Sequence, residues 1–413
     1  MVNRNAIPRW GNALIDAIAD APMSPLGRLA AKRLGAPAPR GTVQSTTFED
    51  RPRRVLIAPV NYSGQAIAWA RALERADDTI SARNMAVDVP GGFSFDADLL
   101  VPVGTYHNDP DWQRREFDAA CTATHVLIEA EEPPFGRMLR RSVAAQARAL
   151  VDHGVDVAFL AHGTDVRLPS RHMADNEWSH YADPSVYAPR AETLAARNIA
   201  LLHDSGRRLF VSTLDLLADL PEADWCPVVV DPERWAGVRR PRESDRPLRV
   251  AHAPSVDAVK GTELILSTLE HLEASGLIEV ELVRGVPSAR MPEVFARADV
   301  VLDQFRVGSY GVAACEAMAA GCIVIGSLAD SVREQTRTRT GRDVPILEAT
   351  PKTLESVLRD LAADADLDAK RAGGVDFVRA VHDGSLSARA LIDGWIAPRA
   401  TSRGKEHAHA SDG

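Results

Sequence analysis

The sequence predicts an α/β fold built from two parallel-sheet domains that face each other across a cleft. Its 413 residues are too many for one ordinary hydrophobic core and suit two domains. Short aliphatic runs alternate with longer helical patterns in both halves, which is typical of parallel sheets covered by helices. A faint repeat supports two similar units, because VLIAP at 55–59 opens the first half and VAHAP at 250–254 opens the second.

The predicted strands divide the chain into five parts. Strand signals in the first half cover 55–60, 124–128, 155–160 and 208–211. In the second half, strands at 248–253, 278–283, 299–303 and 322–326 alternate with helices at 261–274, 290–297, 311–320 and 351–363. The predicted parts are an amphipathic and linker-like extension at 1–54, an N-terminal domain at 55–240, a C-terminal domain at 247–385, a helix at 386–397 that we expect to pack back on the N-terminal domain, and a mobile tail at 398–413. The polar stretch PRESDRP at 241–247 marks the boundary between the two domains.

Composition and charge exclude several classes of protein. Hydrophobic residues make up 45% of the chain and charged residues 25%, which excludes a membrane-embedded or wholly disordered protein. The net charge of -9 argues against a nucleic acid as the main partner, because phosphate backbones bind basic surfaces. No G-x-G-x-x-G follows either opening strand, so no dinucleotide cofactor is predicted. The four cysteines lack metal-ligand spacing and no secretory pattern begins the chain, so the expected location is the cytoplasm.

Two short amphipathic helices are predicted in the first 35 residues. The apolar side chains at helical spacing are Trp10, Leu14 and Ile18 in the first helix and Leu26, Leu29 and Leu34 in the second. Cations at positions 28, 32 and 33 accompany the second helix. Peripheral contact of residues 1–35 with a membrane is one interpretation, and packing on the main body or on a partner is the favoured one.

The most informative segment is DQFRVGSYGVAACEAMAAG at 303–321. It predicts the end of a buried strand, a loop with two glycines, and a helix of small residues that a third glycine ends. Gly308 and Gly311 allow backbone amides to approach a ligand, and the positive end of the following helix suits a diphosphate. The one carboxylate in that helix, Glu316, has small neighbours that predict partial burial. A buried carboxylate needs hydrogen-bond donors such as ribose hydroxyls.

This segment resembles the donor-binding signature of retaining, family 4-like glycosyltransferases of the GT-B fold, which has two Rossmann-like domains. The sequence EAMAAG at 316–321 is the strongest part of a resemblance that spans about residues 55 to 395. A glutamate at the position of Glu316 binds the nucleotide ribose in that family, which implies the same role here. The family often has a second glutamate, on the donor sugar, where this sequence has Gly308, so the contacts of the sugar stay open. The loop that we expect to cradle the donor contains Ser309, Tyr310 and Gly311.

Cationic side chains follow several predicted strands of the second half. His252 leads to Lys260 and Gly261 at a helix start, where the family places a phosphate-binding lysine. A lysine just before a helix N-terminus is a poor neighbour for the helix dipole unless an anion lies between them. Arg284 and Arg306 are further candidates at the carboxyl ends of strands, where open α/β sheets bind ligands. A solvated position remains open for the lysine and for Arg284.

Two loops of the first half resemble the same family more loosely. Asn61 and Gly64, in NYSG after the first strand, match the position of the acceptor-side loop. HGTDVR at 162–167 resembles an element of related transferases. Its polar residues form either a structural network or a site for the acceptor or donor sugar. The second interpretation is favoured, because the cluster follows a buried strand.

Within this second interpretation, His162 and Asp165 are the candidate catalytic residues and Arg167 an acceptor-side residue. Glu129, at the end of another strand, is a weaker acceptor-side candidate. The neighbouring Glu131 and the carboxylate after it are expected in solvent.

A glycosyl transfer must stabilise the departing nucleoside diphosphate. Without a metal, cationic side chains and a helix dipole must carry that charge. The sequence predicts a metal-independent reaction in which Lys260, an arginine and the helix beginning near Gly311 hold the diphosphate. No cofactor is expected beyond the nucleotide-diphosphate sugar, and the family implies retention of configuration without a protein nucleophile. The acceptor is expected to be a saccharide or another small molecule, with lipid-linked and protein acceptors left open.

Two alternatives on the same frame also remain open, since a fold does not fix a function. One is an enzyme such as a sugar-nucleotide epimerase or a phosphorylase. The other is a catalytically silent subunit that binds the sugar nucleotide. This alternative arises because Gly308 stands where the family often has a glutamate.

Overall fold

A computed structural model describes residues 4–39, 41–89, 95–236 and 246–397. The predicted tail at 398–413 lies outside the described residues, as does most of the predicted boundary at 241–247. The described part contains two all-parallel sheets, one in each half of the chain, whose strands alternate with helices. This architecture confirms the predicted α/β class with two Rossmann-like units.

The first sheet follows from apolar runs that are buried along most of their length. Within the described residues its strands are β1 (Arg53–Ala58), β2 (Ile80–Asp88), β3 (Leu99–Pro102), β4 (His125–Glu129), β5 (Asp156–Ala161), β6 (Arg208–Val211) and β7 (Asp224–Trp225). They lie in the order β3-β2-β1-β4-β5-β6-β7. The order reverses at β1, and open parallel sheets bind ligands beside the strand ends at such a reversal. The loops after β1, β4 and β5 are therefore the ones placed for function.

The second sheet repeats this topology on a smaller scale. Its described strands are β8 (Leu248–His252), β9 (Ile278–Leu282), β10 (Val300–Leu302), β11 (Ile323–Gly326) and β12 (Leu347–Glu348), in the order β12-β11-β10-β8-β9. The order reverses at β8, which pairs with β9 on one side and β10 on the other. The loops after β8 and β10 therefore lie at the ligand-binding edge of this sheet.

Helices connect most of these strands, and the predicted ones agree with the structure to within a few residues. In the first half they are α1 (Arg9–Asp20), α2 (Pro25–Lys32), α3 (Gln65–Ala76), α4 (Val103–Asn108), α5 (Pro110–Ala120), α6 (Val143–Asp152), α7 (Pro169–Asp175), α8 (Ala188–Ser205) and α9 (Pro232–Trp235). In the second half they are α10 (Asp257–Lys260), α11 (Thr262–Ala274), α12 (Met291–Phe295), α13 (Val312–Ala319), α14 (Asp330–Thr340), α15 (Leu354–Ala363), α16 (Leu367–Val381) and α17 (Ser385–Leu391). No helix in the described residues is both long enough and apolar enough to cross a bilayer.

The last helix returns to the first half of the chain. Leu391 of α17 and Trp395 after it belong to the same buried cluster as Trp69 and Leu73 of α3. The hydroxyl of Ser387 and the indole N–H of Trp69 both donate to the carbonyl of residue 227, at 2.8 Å each. The end of the described chain is thus tied to the first sheet by apolar burial and by satisfied polar groups.

Candidate functional site

The loop after β10 is organised by a side chain that sequence reasoning missed, Gln304. Its Oε1 accepts the backbone N–H groups of Arg306 and Val307 at 3.0 and 2.6 Å. Its Nε2 donates to the carbonyl of Ser309 at 2.8 Å. Gln304 is buried, so these bonds replace those it would make with water. They fix the path of the chain from β10 to α13. In the sequence, the one signal for this role is that Gln304 comes just before a loop with two glycines.

The two glycines of this loop serve different purposes. Gly308 has φ of +74°, a left-handed conformation that side chains with a β-carbon rarely adopt. The family that the sequence resembles often has a glutamate here, and the left-handed backbone of Gly308 disfavours that residue. Gly311 has extended backbone and is the N-cap of α13, and a β-carbon there would meet no atom within 4 Å. Open space thus adjoins the N-terminal end of α13.

Glu316 lies on α13 with its side chain half-buried. No side chain or backbone group of the described residues hydrogen-bonds or ion-pairs with its carboxylate. Burial raises the pKa of Glu316 to about 7, and the positive charge of Arg234 on α9 opposes that rise. A ligand that donates hydrogen bonds would stabilise the ionised form. Among the described residues, the predicted ribose-binding carboxylate therefore has no hydrogen-bond or ion-pair partner.

Lys260 precedes α11, as predicted, but it forms an ion pair with Asp303. Nζ of Lys260 is 2.5 Å from Oδ1 of Asp303, and Oδ2 of this buried aspartate has no partner among the described residues. Gly261 is left-handed, with φ of +79°, and starts α11 beside this pair. Arg284 is exposed and pairs with Asp257 at 3.2 Å. The phosphate-binding roles of Lys260 and Arg284 stay predictions, and the lysine would have to share its charge with an existing partner.

Two predicted donor contacts lie in the core instead. His252 is fully buried, its Nδ1 is 2.9 Å from the carbonyl oxygen of Leu302, and its Nε2 is 2.9 Å from Oγ1 of Thr262. Because both ring nitrogens already have hydrogen-bond partners in the protein, neither is available to bind a nucleotide-sugar donor. Tyr310 is also buried, with its hydroxyl 3.2 Å from Nε2 of His382. Burial raises the pKa of Tyr310 well above its ordinary value. This tyrosine therefore stabilises the packing of the loop.

Arg306 connects the two halves of the molecule. Its Nη1 donates to Asp183 of the first half at 2.6 Å, and its carbonyl accepts a bond from Asn176 at 3.1 Å. Nε2 of His172 lies 3.0 Å from the carbonyl oxygen of Val307. These contacts hold the loop after β10 against the first half, and the donor-binding role of Arg306 stays a prediction.

In the first half, His162 follows β5 and meets Glu129 at the end of β4. Nε2 of His162 is 3.0 Å from Oε1 of Glu129, which is fully buried. The rings of Tyr62 and His162 meet edge to face with centroids 5.1 Å apart. The structure thus brings together two predicted residues from neighbouring strands.

Asp165 and Arg167 have structural partners. The carboxylate of Asp165 accepts the backbone N–H groups of His162, at 2.8 Å, and Gly163. Asp165 therefore holds the turn that carries His162, and its assignment as a reacting group stays a prediction. Arg167 is buried and donates through Nε and Nη2 to Asp215, at 3.0 and 2.5 Å. A buried guanidinium needs such a partner, and the acceptor-side role of Arg167 stays a prediction.

The loop after β1 has its own internal bonds. Asn61 donates through Nδ2 to the carbonyl of Asp96 at 2.9 Å, and its Oδ1 accepts the N–H of Ile67 at 3.3 Å. Gly64 is left-handed, with φ of +71°, and immediately precedes α3. The structure therefore uses both predicted acceptor-side residues to shape the loop. Ser309 is likewise buried.

Glu131 is the carboxylate that the sequence placed wrongly. It is 6% exposed rather than solvated, and neither carboxylate oxygen has a partner among the described residues. Ala130 and Glu131 both adopt left-handed backbone, with φ of 52° and 50°, which is strained for residues with a β-carbon. Burial raises the pKa of Glu131 well above its ordinary value, and the nearby Asp165 and Glu132 add to that rise. Across the described part, no three His, Cys, Asp or Glu residues are grouped as a metal site would require.

A cavity of about 560 Å³ opens beside these loops. Its wall includes the apolar side chains of Val87, Phe95 and Val103, and Ser255 contributes to it from the second half. Arg141 is the cation of the cavity and lies 2.9 Å from Nδ1 of His107 and 3.0 Å from Glu132. Burial and the neighbouring arginines lower the pKa of the histidine to about 4, so it is neutral at pH 7.

Comparisons with known proteins support the fold. No protein-family model and no curated protein matches the chain. Sucrose-phosphate synthase from Thermosynechococcus elongatus is 12% identical with a TM-score of 0.53, and the match covers 83% of this chain and 97% of that one. An alpha-glucosyltransferase in complex with UDP and a 13-mer DNA is 10% identical with a TM-score of 0.54, over 82% of this chain and 98% of that one.

A third similar structure is Anabaena HepE in complex with UDP. It is 10% identical with a TM-score of 0.51, over 82% of this chain and 98% of that one. These identities are low, so the likeness establishes the architecture. The chain has the GT-B fold, and its structural neighbours include glycosyltransferases.

Proposed function

We propose that this chain is a glycosyltransferase that moves a sugar from a nucleotide-diphosphate donor to an acceptor, without a metal ion and with retention of configuration. The observation that carries the proposal is Glu316, a half-buried carboxylate without a hydrogen-bond or ion-pair partner in the described part of the chain. It lies on α13, whose N-terminal end adjoins open space at Gly311. Two similar structures contain UDP, and a nucleotide supplies the hydrogen-bond donors that such a carboxylate lacks.

In this proposal, the ribose hydroxyls donate to Glu316 while the diphosphate faces the first amides of α13. The positive end of a helix stabilises an anion at that position. Lys260 and Arg284 supply additional positive charge as the leaving group departs, and Lys260 is then shared between Asp303 and a phosphate. Charge that develops on the leaving diphosphate is thereby stabilised by groups that are already in place.

His162 is the residue of the first half that we assign to the reacting end of the donor. Glu129 holds one ring nitrogen, and Asp165 holds the backbone of the turn, so the orientation of the ring is set before a ligand binds. A positioned imidazole can donate to a sugar hydroxyl or take a proton from the acceptor. The acceptor, a saccharide or another small molecule, enters the cavity between the loops after β1 and β4.

The proposed partners and location have their own support. The structure contains four free cysteines, three of them buried, which fits reduced thiols in the cytoplasm. Peripheral contact of residues 1–35 with a membrane is part of the proposal, because Trp10 and Leu26 expose 74% and 57% of their surface.

Nucleotide binding and turnover together test the proposal. Thermal unfolding with UDP-, GDP- and dTDP-sugars is expected to show a higher Tm with at least one of them, because a bound donor stabilises the fold. The nucleoside diphosphate that is released can then be measured with saccharide acceptors. If no nucleotide sugar raises the Tm, the donor assignment is wrong.

A catalytically silent binding subunit is the second candidate, and Gly308 favours it. The left-handed backbone there disfavours the glutamate that contacts the donor sugar in the resembling family. A silent subunit would bind the nucleotide sugar and release no nucleoside diphosphate, even over long incubations. Slow hydrolysis of the bound donor would exclude this alternative.

A further inference from the structure

Helices α1 and α2 carry their apolar side chains on the outside. Trp10 and Leu14 of α1 expose 74% and 56% of their surface, and Leu26 and Leu29 of α2 expose 57% and 56%. Isolated exposed apolar residues are ordinary, but four at helical spacing in a short segment form a patch. We call these four residues the N-terminal surface. These four side chains are exposed, although other residues of the extension contact the body, as the favoured prediction expects: Asp20 pairs with Arg190 and Ala31 accepts a bond from Asn108.

Polar contacts hold this segment in place with its apolar side out. Asp20 of α1 pairs with Arg190 at 2.7 Å, and Nη2 of Arg137 donates to the carbonyl of Pro22 at 2.6 Å. In α2 the side facing inward has Gly27 and Ala31, which bury little apolar area. A helix that packs on its own core buries its apolar face. Here the polar and small residues face the protein, so the apolar face is free for an external partner.

Unneutralised cations accompany the N-terminal surface. Arg28, Lys32 and Arg33 are exposed and have no carboxylate partner within the described ranges. The pKa of Arg137 is lowered by burial and by the positive charges of Arg28 and Arg141, so these guanidinium groups lie near one another. Exposed apolar side chains with several cations match an anionic lipid surface. A second copy in a two-fold contact would bring the same cations together and is disfavoured.

Helix α4 joins this surface to the cavity. Asn108 at its end donates to the carbonyl groups of Ala31 and Gly35 at 3.0 Å each. Gly104 lies so close to the chain before β1 that a β-carbon would be 2.3 Å from the carbonyl oxygen of Ala36. Other residues of the same helix, Val103, Tyr106 and His107, line the cavity. One six-residue helix therefore contacts both the N-terminal extension and the proposed acceptor pocket.

We propose that the N-terminal surface docks on an anionic membrane and that the acceptor is an amphiphile with an anionic group, which enters the cavity from that membrane. This inference rests on the proposed function. The apolar wall formed by Val87, Phe95 and Val103 accommodates a hydrocarbon segment. Arg141 is the cation available to the anionic group, and its pairing with Glu132 leaves guanidinium donors for a ligand.

Vesicle sedimentation tests the docking step with the full chain. Binding to phosphatidylcholine vesicles that contain about a third phosphatidylglycerol is expected to exceed binding to pure phosphatidylcholine at least about tenfold, because each exposed cation contributes roughly 1 kcal/mol near an anionic surface. The double variant Trp10→Glu with Leu29→Glu should lose this binding. The matched control, Met173→Glu with Leu282→Glu, places the same charges on exposed apolar positions elsewhere and should retain it. Equal binding to both vesicles, or equal loss in both variants, would overturn the docking surface.

Replacing the neighbouring cations tests their contribution to membrane binding separately from that of the apolar side chains. Arg28→Gln with Arg33→Gln should weaken binding to the anionic vesicles by about fivefold per cation removed. The control pair, Arg337→Gln with Arg339→Gln, changes exposed arginines of α14 and should leave binding unchanged. Light scattering gives the remaining check. Concentration-dependent dimerisation that the Trp10 and Leu29 substitutions abolish would assign the surface to a second copy and contradict the membrane.

Dodecyl phosphate, below its micelle concentration, serves as the probe for the cavity. Calorimetry is expected to show binding that Arg141→Gln weakens about tenfold or more, while dodecyl maltoside, which lacks the anion, binds less tightly. Arg148→Gln, on α6, is the control and should bind like the parent. No binding of dodecyl phosphate, or none that depends on Arg141, overturns the acceptor class. Neither assay needs a nucleotide, so its failure is distinguishable from failure of the glycosyltransferase proposal.

Discussion

Each half of the molecule contains a glutamate whose carboxylate has no hydrogen-bond partner among the described residues, and the two differ in what surrounds them. Glu316 is half-buried on a regular helix, beside open space at Gly311. Glu131 is 6% exposed, on strained backbone, with other carboxylates as neighbours. Burial raises the pKa of both, to about 7 for Glu316. An accessible carboxylate can bind a ligand. An enclosed one can instead stay protonated, which lowers the free-energy cost of its burial.

This difference separates two ways of building a site. The edge of the second sheet offers a nearly complete binding surface from contiguous residues, at 303–321. The edge of the first sheet depends on groups from three loops that orient one another, with His162 at the centre. Substitution of Glu316 should therefore weaken nucleotide binding, whereas substitution of His162 should lower turnover.

The largest effect is expected for His162→Ala. If His162 acts at the reacting end of the donor, its loss should lower kcat by roughly a hundredfold or more, which is typical of a positioned acid or base. The dissociation constant of the nucleotide should change less than about threefold, because Glu316 and α13 remain. His203→Ala, on an exposed histidine of α8, is the control. Turnover like that of the parent would remove His162 from the site.

Glu316→Ala should weaken nucleotide binding by about tenfold or more. Charge-assisted hydrogen bonds to a ribose are worth about 1.5 to 3 kcal/mol, and about 1.4 kcal/mol corresponds to one decade of affinity. Glu316→Gln, which keeps one acceptor without the charge, should have a smaller effect. Calorimetry with the nucleoside diphosphate measures both, with Glu334→Ala on exposed α14 as the control and circular dichroism as a check of the fold. Unchanged affinity in Glu316→Ala would show that α13 is not the donor platform.

Glu131→Gln should change stability in a pH-dependent way. Because the pKa of Glu131 is raised on folding, the folded protein binds this proton more tightly than the unfolded chain, whose carboxyl has a pKa near 4.5. The parent therefore loses stability, relative to the variant, as the pH rises above 4.5 and through the folded pKa. Glutamine mimics the protonated acid and should be more stable than the parent at pH 8 but not at pH 4.

Urea unfolding at several pH values measures this difference. Glu132→Gln is the matched control, because that carboxylate is 44% exposed and paired with Arg141, so no comparable gain at pH 8 is expected. A constant difference between parent and Glu131→Gln across the pH range would contradict a buried, proton-binding carboxyl group.

The contrast between the two edges also explains how much the sequence could predict. The strand, loop and helix around α13 follow from local pattern, and the segment was predicted to within a residue. The partners of Arg306 and Tyr310 could not be predicted because Asp183 and His382 lie far away in the sequence. No local pattern reveals such pairs.

The first sheet shows the same limit in its strands. Strand β2 was not predicted because Ser81 and Asn84 interrupt its apolar pattern. Both are buried, and each has a side-chain oxygen that accepts a bond from another segment: Ser81 accepts the N–H of Glu49 at 3.0 Å, and Oδ1 of Asn84 accepts the N–H of Asp98 at 3.0 Å. Tertiary hydrogen bonds here make polar residues compatible with a buried strand.

The smallest effect is expected from removing divalent metal, and it sharpens the contrast between the two edges. If Lys260, Arg284 and the end of α13 carry the charge of the leaving diphosphate, these groups are part of the chain and a chelator cannot remove them. Turnover in excess EDTA should therefore stay within about twofold of the untreated rate. Lys260→Met, which keeps the length of the side chain without its charge, should lower turnover by more than EDTA does. Suppose instead that Mg²⁺ or Mn²⁺ restores the activity of EDTA-treated enzyme and that Lys260→Met leaves turnover unaffected. A metal ion, and not the edge of the second sheet, would then stabilise the charge of the leaving diphosphate.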